Sequence, residues 1–243
     1  MENINRELVV YKNELNSVSF KGLSPVEMDL FFAVCSQAKE TNSLTVRMDL
    51  DKVRRISGQY TQSLDRFMAF IEQMNDNIQG TSMKVKTDSY VESYALFTYY
   101  KIDNNDLVVD VNPRLAHVIN NIKSDFTQYE LDEFVNINSK YTKTIFRQLK
   151  QFKDTGLYIV SMDKFKFLLD VPKSYRMTDI DRQILNPSLS ELSNIFENLK
   201  LEKIKSGRKI SKLKFTFKKQ EHEIIDVLPD VPLYNWLEGN DVE

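Results

Sequence analysis

Few residues of this 243-residue chain could do covalent chemistry. It has one cysteine, Cys35, and two histidines, His117 and His222, far apart in the sequence. One cysteine allows neither an internal disulfide nor a cysteine-cluster zinc site, and two histidines build no His-rich metal site. The glycines stand at 22, 58, 80, 156, 207 and 239, none within four residues of another. There is therefore neither a GxxxxGK loop nor a GxGxxG, which excludes P-loop NTPases and Rossmann dehydrogenases. The carboxylate pairs Asp103/Asp106 and Asp179/Asp181 read as a turn and a helix start rather than as acid–base dyads. No cofactor, metal or catalytic residue is expected, and the chain is read as a non-enzyme.

What the sequence offers instead is charge in blocks. Residues 1–136 carry a net −6, residues 137–219 a net +11 and residues 220–243 a net −7. A basic stretch of that size points to a polyanion partner. The cations concentrate in two places. One is Lys173-Ser174-Tyr175-Arg176 with Thr178, Asp179, Arg182 and Gln183. The other is Lys203-Ile204-Lys205-Ser206-Gly207-Arg208-Lys209. Guanidinium groups suit bidentate contact with guanine or phosphate, and a basic hairpin tip suits the DNA backbone or minor groove.

Elements must position these residues, and the pattern supplies them twice. Ser24-Pro25-Val26-Glu27 is a capping box with proline at the first helical position, and Leu30, Phe31, Val34 and Ala38 follow on one face. Leu44 to Met48 is extended. A short helix runs from about Asp51 to Ile56. A longer one buries Leu64, Phe67, Met68, Ile71, Met74 and Ile78. Strands follow at Met83 to Thr87, Tyr94 to Ile102 and Leu107 to Val111. The second half repeats the order. A helix from about Ser139 to Lys153 buries Tyr141, Ile145, Leu149 and Phe152, leaving Lys140, Lys143, Arg147 and Lys150 on the outer face. Leu157 to Val160 is a strand, Ser161 caps a short helix, and a long helix starts near Thr178 and is kinked by Pro187. Leu199 to Lys205 and Lys209 to Lys218 form a hairpin. Asp51-Lys52 echoes Asp163-Lys164, and Asp65-Arg66 echoes Asp181-Arg182.

Helix–strand–helix–helix–hairpin is the order of a winged helix. The fold class is therefore α+β, two tandem winged-helix domains related by internal duplication. The expected boundaries are 1–111 for the first, 112–137 for a helical linker opened by the capping box Thr127 to Glu130, 138–219 for the second, and 220–243 for an acidic tail. A third helix of this kind fits the major groove of DNA. The candidates in the second domain are Lys173, Ser174, Tyr175, Arg176, Thr178, Arg182 and Gln183 on the reading helix. Lys203, Lys205, Arg208 and Lys209 belong to the wing, and Lys143 and Arg147 to the first helix. In the first domain they are Arg54, Arg55, Gln59, Thr61, Gln62 and Arg66, with Lys84 and Lys86 on its hairpin. His117 and Cys35 are read as packing residues, as is half of the aromatic run Phe97 to Tyr100.

An ordered set of segments resembles the plasmid replication initiator (Rep) family with tandem winged helices. The set is Tyr141-Thr142-Lys143-Thr144-Ile145-Phe146-Arg147-Gln148-Leu149-Lys150, then Lys173 to Asp181, then Gly207-Arg208-Lys209 before Leu213-Lys214-Phe215-Thr216-Phe217. The N-terminal Leu23-Ser24-Pro25-Val26-Glu27-Met28-Asp29-Leu30-Phe31 is also similar to its Gram-positive members. The resemblance implies a theta-type initiator. Such proteins bind directly repeated origin sequences (iterons) in double-stranded plasmid DNA, help open an adjacent segment and recruit host replication proteins. It also implies self-association and base contacts from the third helix of the second domain, here Arg176 to Gln183. A transcription repressor and a protein-interaction module stand as alternatives. No apolar run approaches the roughly 18 residues of a membrane span, and the N-terminus lacks a signal-peptide pattern, so a cytoplasmic location is expected. The tail joins seven acids to Leu228, Val231, Leu233, Tyr234, Trp236 and Leu237. It reads as a motif for a host replication protein, as a competitor folded over the basic domain, or as an inert end.

Overall fold

The computed structural model describes residues 7–59, 63–79, 82–86, 91–95, 97–103, 105–119, 122 and 124–220. Strand β1 (Leu8–Lys12) leads through a short 3-10 turn into α1 (Pro25–Thr41). Ser24 and Glu27 close the expected capping box, Ser24 N–H donating to Glu27 Oε2 at 2.6 Å and Glu27 N–H to Ser24 Oγ at 3.3 Å. Then come β2 (Thr45–Asp49), α2 (Leu50–Ser57) and α3 (Leu64–Gln79). Asp49 caps α2 by accepting from the N–H groups of Asp51 and Lys52, and Gly58 ends it at φ 68°, a conformation that glycine adopts without steric cost. Phe67, Ile71 and Met74 form the buried stripe of α3.

Four strands follow: β3 (Ser82–Lys86), β4 (Val91–Ala95), β5 (Phe97–Asp103) and β6 (Asp106–Val111). They divide into two sheets. β5 and β6 join β2 in a three-stranded sheet of order β2-β6-β5, whereas β3 and β4 form a separate hairpin. Lys84 and Lys86 therefore lie on that extra hairpin and not on the wing expected to carry them. The wing of the first domain is β5–β6, whose turn is acidic. In the aromatic run Phe97 is buried, Thr98 and Tyr99 are exposed and Tyr100 is half-buried, because a bulge between Phe97 and Tyr99 breaks the alternation.

The segment expected to be a helical linker holds a single-turn helix α4 (Ala116–Ile119), then strand β7 (Phe126–Glu130) and a short helix α5 (Leu131–Val135). The capping box expected at Thr127 to Glu130 is absent. Thr127 and Tyr129 alternate into the core, and the Thr127 hydroxyl is 2.7 Å from both Asn13 Oδ1 and Asn16 Nδ2, so strand pairing wins over helix initiation. His117 is also not a packing residue: its ring is exposed, with Nε2 2.9 Å from Glu14. Cys35 is buried.

The second domain contains α6 (Lys140–Gln151), β8 (Leu157–Ser161), α7 (Met162–Leu168), α8 (Met177–Ile180), α9 (Asn186–Leu192), β9 (Lys200–Ser206) and β10 (Lys209–Thr216). Its sheet has the order β8-β10-β9, the counterpart of β2-β6-β5. Ser139 caps α6 and Ser161 caps α7. Two winged-helix domains of the same plan are thus present.

They meet along a two-stranded ribbon. β1 pairs antiparallel with β7, centred on Val10 opposite Gln128. Beyond the two ends of this ribbon, Leu131 N–H donates to Glu7 O at 2.8 Å and Asn13 N–H to Asp125 O at 2.7 Å. α1 packs on α5, and α6 packs on the turn at Asn13–Ser17, so each long helix leans on the other domain. One apolar core runs through both domains, from Val9 to Phe217. No helix among the described residues is long and apolar enough to cross a membrane.

Candidate nucleic-acid interface

The helix expected to read DNA in the second domain starts at Arg176, whose N–H donates to the Asp179 carboxylate at 3.0 Å. Ile180, Ile184, Leu185 and Leu192 anchor the inner face in the core. Between α8 and α9, residues Asp181–Leu185 form a π-helical turn closed by Asn186 N–H on Asp181 O. Pro187 explains it: a proline has no N–H to give the Gln183 carbonyl, and its ring would collide with that carbonyl in a regular helix. The wider turn absorbs the misfit in place of a plain kink.

Asp179 and Asp181 hold cations in position. Arg182, 74% exposed along its side chain, has Nη2 3.4 Å from Asp179 Oδ1. Lys203 Nζ lies 2.5 Å from Asp181 Oδ1, an ion pair without hydrogen-bond alignment that fastens the wing strand β9 to the reading helix. Lys173, Ser174, Arg176, Thr178 and Gln183 are exposed, and Tyr175 is half-buried against the core. At the wing tip, Ser206 pairs with Lys209 across Gly207 at φ 59°. Lys205, Arg208 and Lys209 are all exposed there. Among the described residues, Lys173, Arg176, Lys205, Arg208 and Lys209 have no acidic partner, so helix and wing together present a basic surface to solvent.

Lys143 and Arg147 do not belong to this surface. Both are fully buried, and Lys150 nearly so. α6 is enclosed on all sides because it lies between the two domains. Lys143 Nζ meets Asp29 of α1 at 2.5 Å and Phe134 O at 2.6 Å. Burial pushes the Asp29 carboxyl up to about 7, against the pull of the Lys143 ammonium, and burial likewise lowers the Lys143 ammonium. Arg147 donates to the Tyr11 hydroxyl at 3.3 Å, Leu15 O at 2.9 Å and Asn16 Oδ1 at 3.2 Å. Its guanidinium carbon lies 4.4 Å from the Phe20 ring centre and 5.0 Å from that of Phe32. These two candidates are interdomain residues. Asp29, Tyr11 and Asn16, which complete the junction, carried no signal in the sequence beyond being polar within apolar runs.

In the first domain part of the expected set is described. Arg55 and Arg66 are exposed, Gln59 is half-buried, and Arg54 is half-buried with its guanidinium 4.7 Å over Phe67. Thr61 and Gln62 lie outside the described residues, as do the side chains of Lys84 and Lys86 and the whole tail 221–243. The wing carries acids that are already engaged. Asp106 holds Arg47 at 3.0 Å, and Asp110 accepts from Thr45 Oγ1 at 2.7 Å.

The family described as "Initiator Replication protein, WH1" matches residues 8–150, and "Initiator Rep protein, WH2" matches residues 161–217. The chain belongs to the initiator replication protein family. A "Probable replication protein rep" of Bifidobacterium longum (strain NCC 2705) is 30% identical over 231 residues, covering 93% of this chain and 77% of that one. Domains 2 and 3 of RctB, in crystal form, share 8% identity over 82% of each chain at a TM-score of 0.47. A second RctB structure of those domains matches at 0.41 with 9% identity over 79% of this chain and 81% of that one. Neither RctB likeness is close enough to carry an argument. The first family match runs through Lys150 and so takes in most of α6, which packs on β7 and the turn at Asn13–Ser17 as well as on α9 of the second domain.

Proposed function

We propose that this initiator starts plasmid replication by binding directly repeated double-stranded origin sequences, without catalysing a reaction on DNA. The observation that carries the reading is the basic surface built by the reading helix and wing of the second domain and locked by Asp181–Lys203. The helix supplies side chains for base edges in the major groove, with Arg176, Arg182 and Gln183 placed for it, and the wing supplies Lys205, Arg208 and Lys209 for phosphates. The first domain, with an acidic wing turn, offers Arg55 and Arg66 to DNA from its described side chains, beside the further candidates Thr61, Gln62, Lys84 and Lys86, and its share also lies in holding the second domain and in self-association. The matches to the two initiator Rep families favour the initiator over the repressor. Recruitment of host replication proteins belongs to the same reading.

Footprinting on the cognate plasmid tests it. The expected result is protection at regular helical spacing over repeats beside an AT-rich segment. Protection of one inverted repeat alone would support the repressor, and no protection would defeat both. The purified protein is expected neither to nick supercoiled origin plasmid nor to hydrolyse ATP, and a covalent tyrosine–DNA adduct would overturn the non-enzymatic reading.

A further inference from the structure

The duplicated domains end their second helices differently. The offset that brings Asp51 onto Asp163 brings Gly58 onto Asp170. α2 stops at Gly58, and Gln59 N–H reaches back to Arg54 O at 3.0 Å. α7 stops by the same device: Val171 N–H donates to Lys166 O at 3.0 Å and Asp170 N–H to Phe167 O at 3.2 Å. The residue at the left-handed position is now Asp170, at φ 48°. A side chain there is strained where glycine is not. An acid beside the free carbonyls of a helix end also has the unfavourable sign. Two local preferences thus oppose Asp170, and neither opposes Gly58.

The first domain supplies what offsets them. Its segment 15–21 crosses α6, where Leu15 O and Asn16 O accept from Arg147 and Gln148, and goes on to the end of α7. There Lys21 Nζ lies 3.5 Å from the Asp170 carboxylate, and Ser19 Oγ donates to Leu168 O at 3.4 Å. Leu168 O needs such a donor, because the residue four positions on is Pro172, which has no N–H. The turn that follows is closed by Tyr175 N–H on Pro172 O at 3.0 Å and delivers Lys173, Ser174 and Arg176 to the start of α8. Burial, then Tyr175 and Asp170, push the Tyr141 phenol up, so both ends of this turn lie near Tyr141 of α6.

We propose that Ser19 and Lys21 of the first domain latch Asp170 and the end of α7, and so set the turn 170–176. Lys21 and Asp170 are then positioning residues for DNA and not contacts to it. The backbone that carries Lys173 and Arg176 begins at Asp170, so the seating of the first domain is passed on to both cations. The first domain's own counterpart, Gly58, takes the left-handed conformation unaided and needs no latch. Lys21 is 77% exposed along its side chain, and an ion pair of that kind shifts an equilibrium by no more than about fivefold. The consequence for DNA rests on the DNA-binding reading above; the latch itself does not.

Amide hydrogen exchange on the full chain without DNA tests the latch, and gel shifts on origin and random duplexes test its consequence. Lys21→Glu sets a second carboxylate against Asp170. It should speed exchange at Asp170, Val171 and Tyr175 about threefold and leave residues 140–151 unchanged. The ratio of origin to random affinity should also fall about threefold. Asp170→Gly keeps the left-handed turn without the carboxylate, and in that background Lys21→Glu should alter neither quantity. Equal exchange in Lys21→Glu and the native protein, faster exchange at 140–151, or the same effect in both backgrounds would overturn the latch. An exchange response with an unchanged affinity ratio would overturn its positioning role. Equal losses on both duplexes in both backgrounds would do the same, by making Lys21 a phosphate contact. A native protein without origin preference would defeat the DNA-binding reading, and exchange would still decide the latch.

Discussion

Arg182 and Lys205 are both exposed cations, and the proposed DNA-bound pose gives them different work. Arg182 sits on the reading helix, its fork steered by Asp179. Lys205 sits on the wing, beyond the reach of base edges if the helix fills the groove. Arg182→Ala should relax base preference and cost about 1–3 kcal/mol on origin DNA. Lys205→Ala should weaken binding to every sequence and flatten the salt slope by about one unit. Gel shifts on origin and random duplexes over a salt series separate the two, and equal losses on both duplexes for both variants would misplace the reading helix. Arg147 belongs to neither class. Its removal leaves the Leu15 carbonyl and the Tyr11 oxygen without their donor, and Asn16 Oδ1 with the Tyr11 hydroxyl in place of two donors, so Arg147→Ala should lower stability by on the order of 3 kcal/mol. The folded fraction should keep its origin preference. This distinction was not legible in the sequence. Periodicity finds one apolar stripe on α6 and assigns the rest to solvent, but α6 is covered on every side, and a long cationic side chain looks the same whether its head reaches water or a carbonyl from another domain.

The π turn before Pro187 makes a prediction about an element. Pro187→Ala restores the missing N–H and lets α8 and α9 merge into a regular helix. Stability should not fall, since proline in a helix interior costs about 3 kcal/mol relative to alanine. Arg182 and Gln183 would be rotated relative to Ile184 and Asn186, however, so the ratio of origin to random affinity should shrink. Unchanged specificity in this variant would show that the π turn does not set the reading face. Most elements were legible because their ends are chemically marked: the Ser24–Glu27 box, the Gly58 stop, Ser161 before α7 and the Gly207 wing tip. Two were not. Thr127-Gln128-Tyr129-Glu130 satisfies a capping-box pattern, but pairing with β1, well over a hundred residues away, outweighs a local signal. The Tyr94 to Ile102 run reads as one strand, whereas it serves two sheets: β4 turns to β3, and β5 to β6. Strand partners are a tertiary choice, and alternation along one segment does not name them.

The whole molecule is two domains clasped about the β1–β7 ribbon, with the fully buried cations Lys143 and Arg147 pressed into the junction and the buried Asp29 carboxyl against Lys143. Such a junction is stabilised by shape and apolar contact while its charges oppose burial. Asp29→Asn, a neutral isostere of the protonated carboxyl, keeps the form that burial favours and should change stability little at pH 5. Asp29→Leu combined with Lys143→Met removes both charges and should end between neutral and about 4 kcal/mol more stable. The pH dependence carries a sign. With its native pKa raised to about 7 by burial, Asp29 binds its proton more tightly in the folded state than in the unfolded chain. Its contribution to stability is therefore complete below about pH 4 and is lost as pH rises through about 7. Urea unfolding at pH 5, 6 and 7 should show a falling component in the native protein that is missing from Asp29→Asn. A charge pair that only stabilised would show the opposite trend. The double variant then separates fold from function: if its greater stability comes with slower plasmid replication at unchanged DNA affinity, the strained pair is retained because the domains must shift against each other at the origin. Equal replication would mean that the pair serves only to set the fit of α6 against α1.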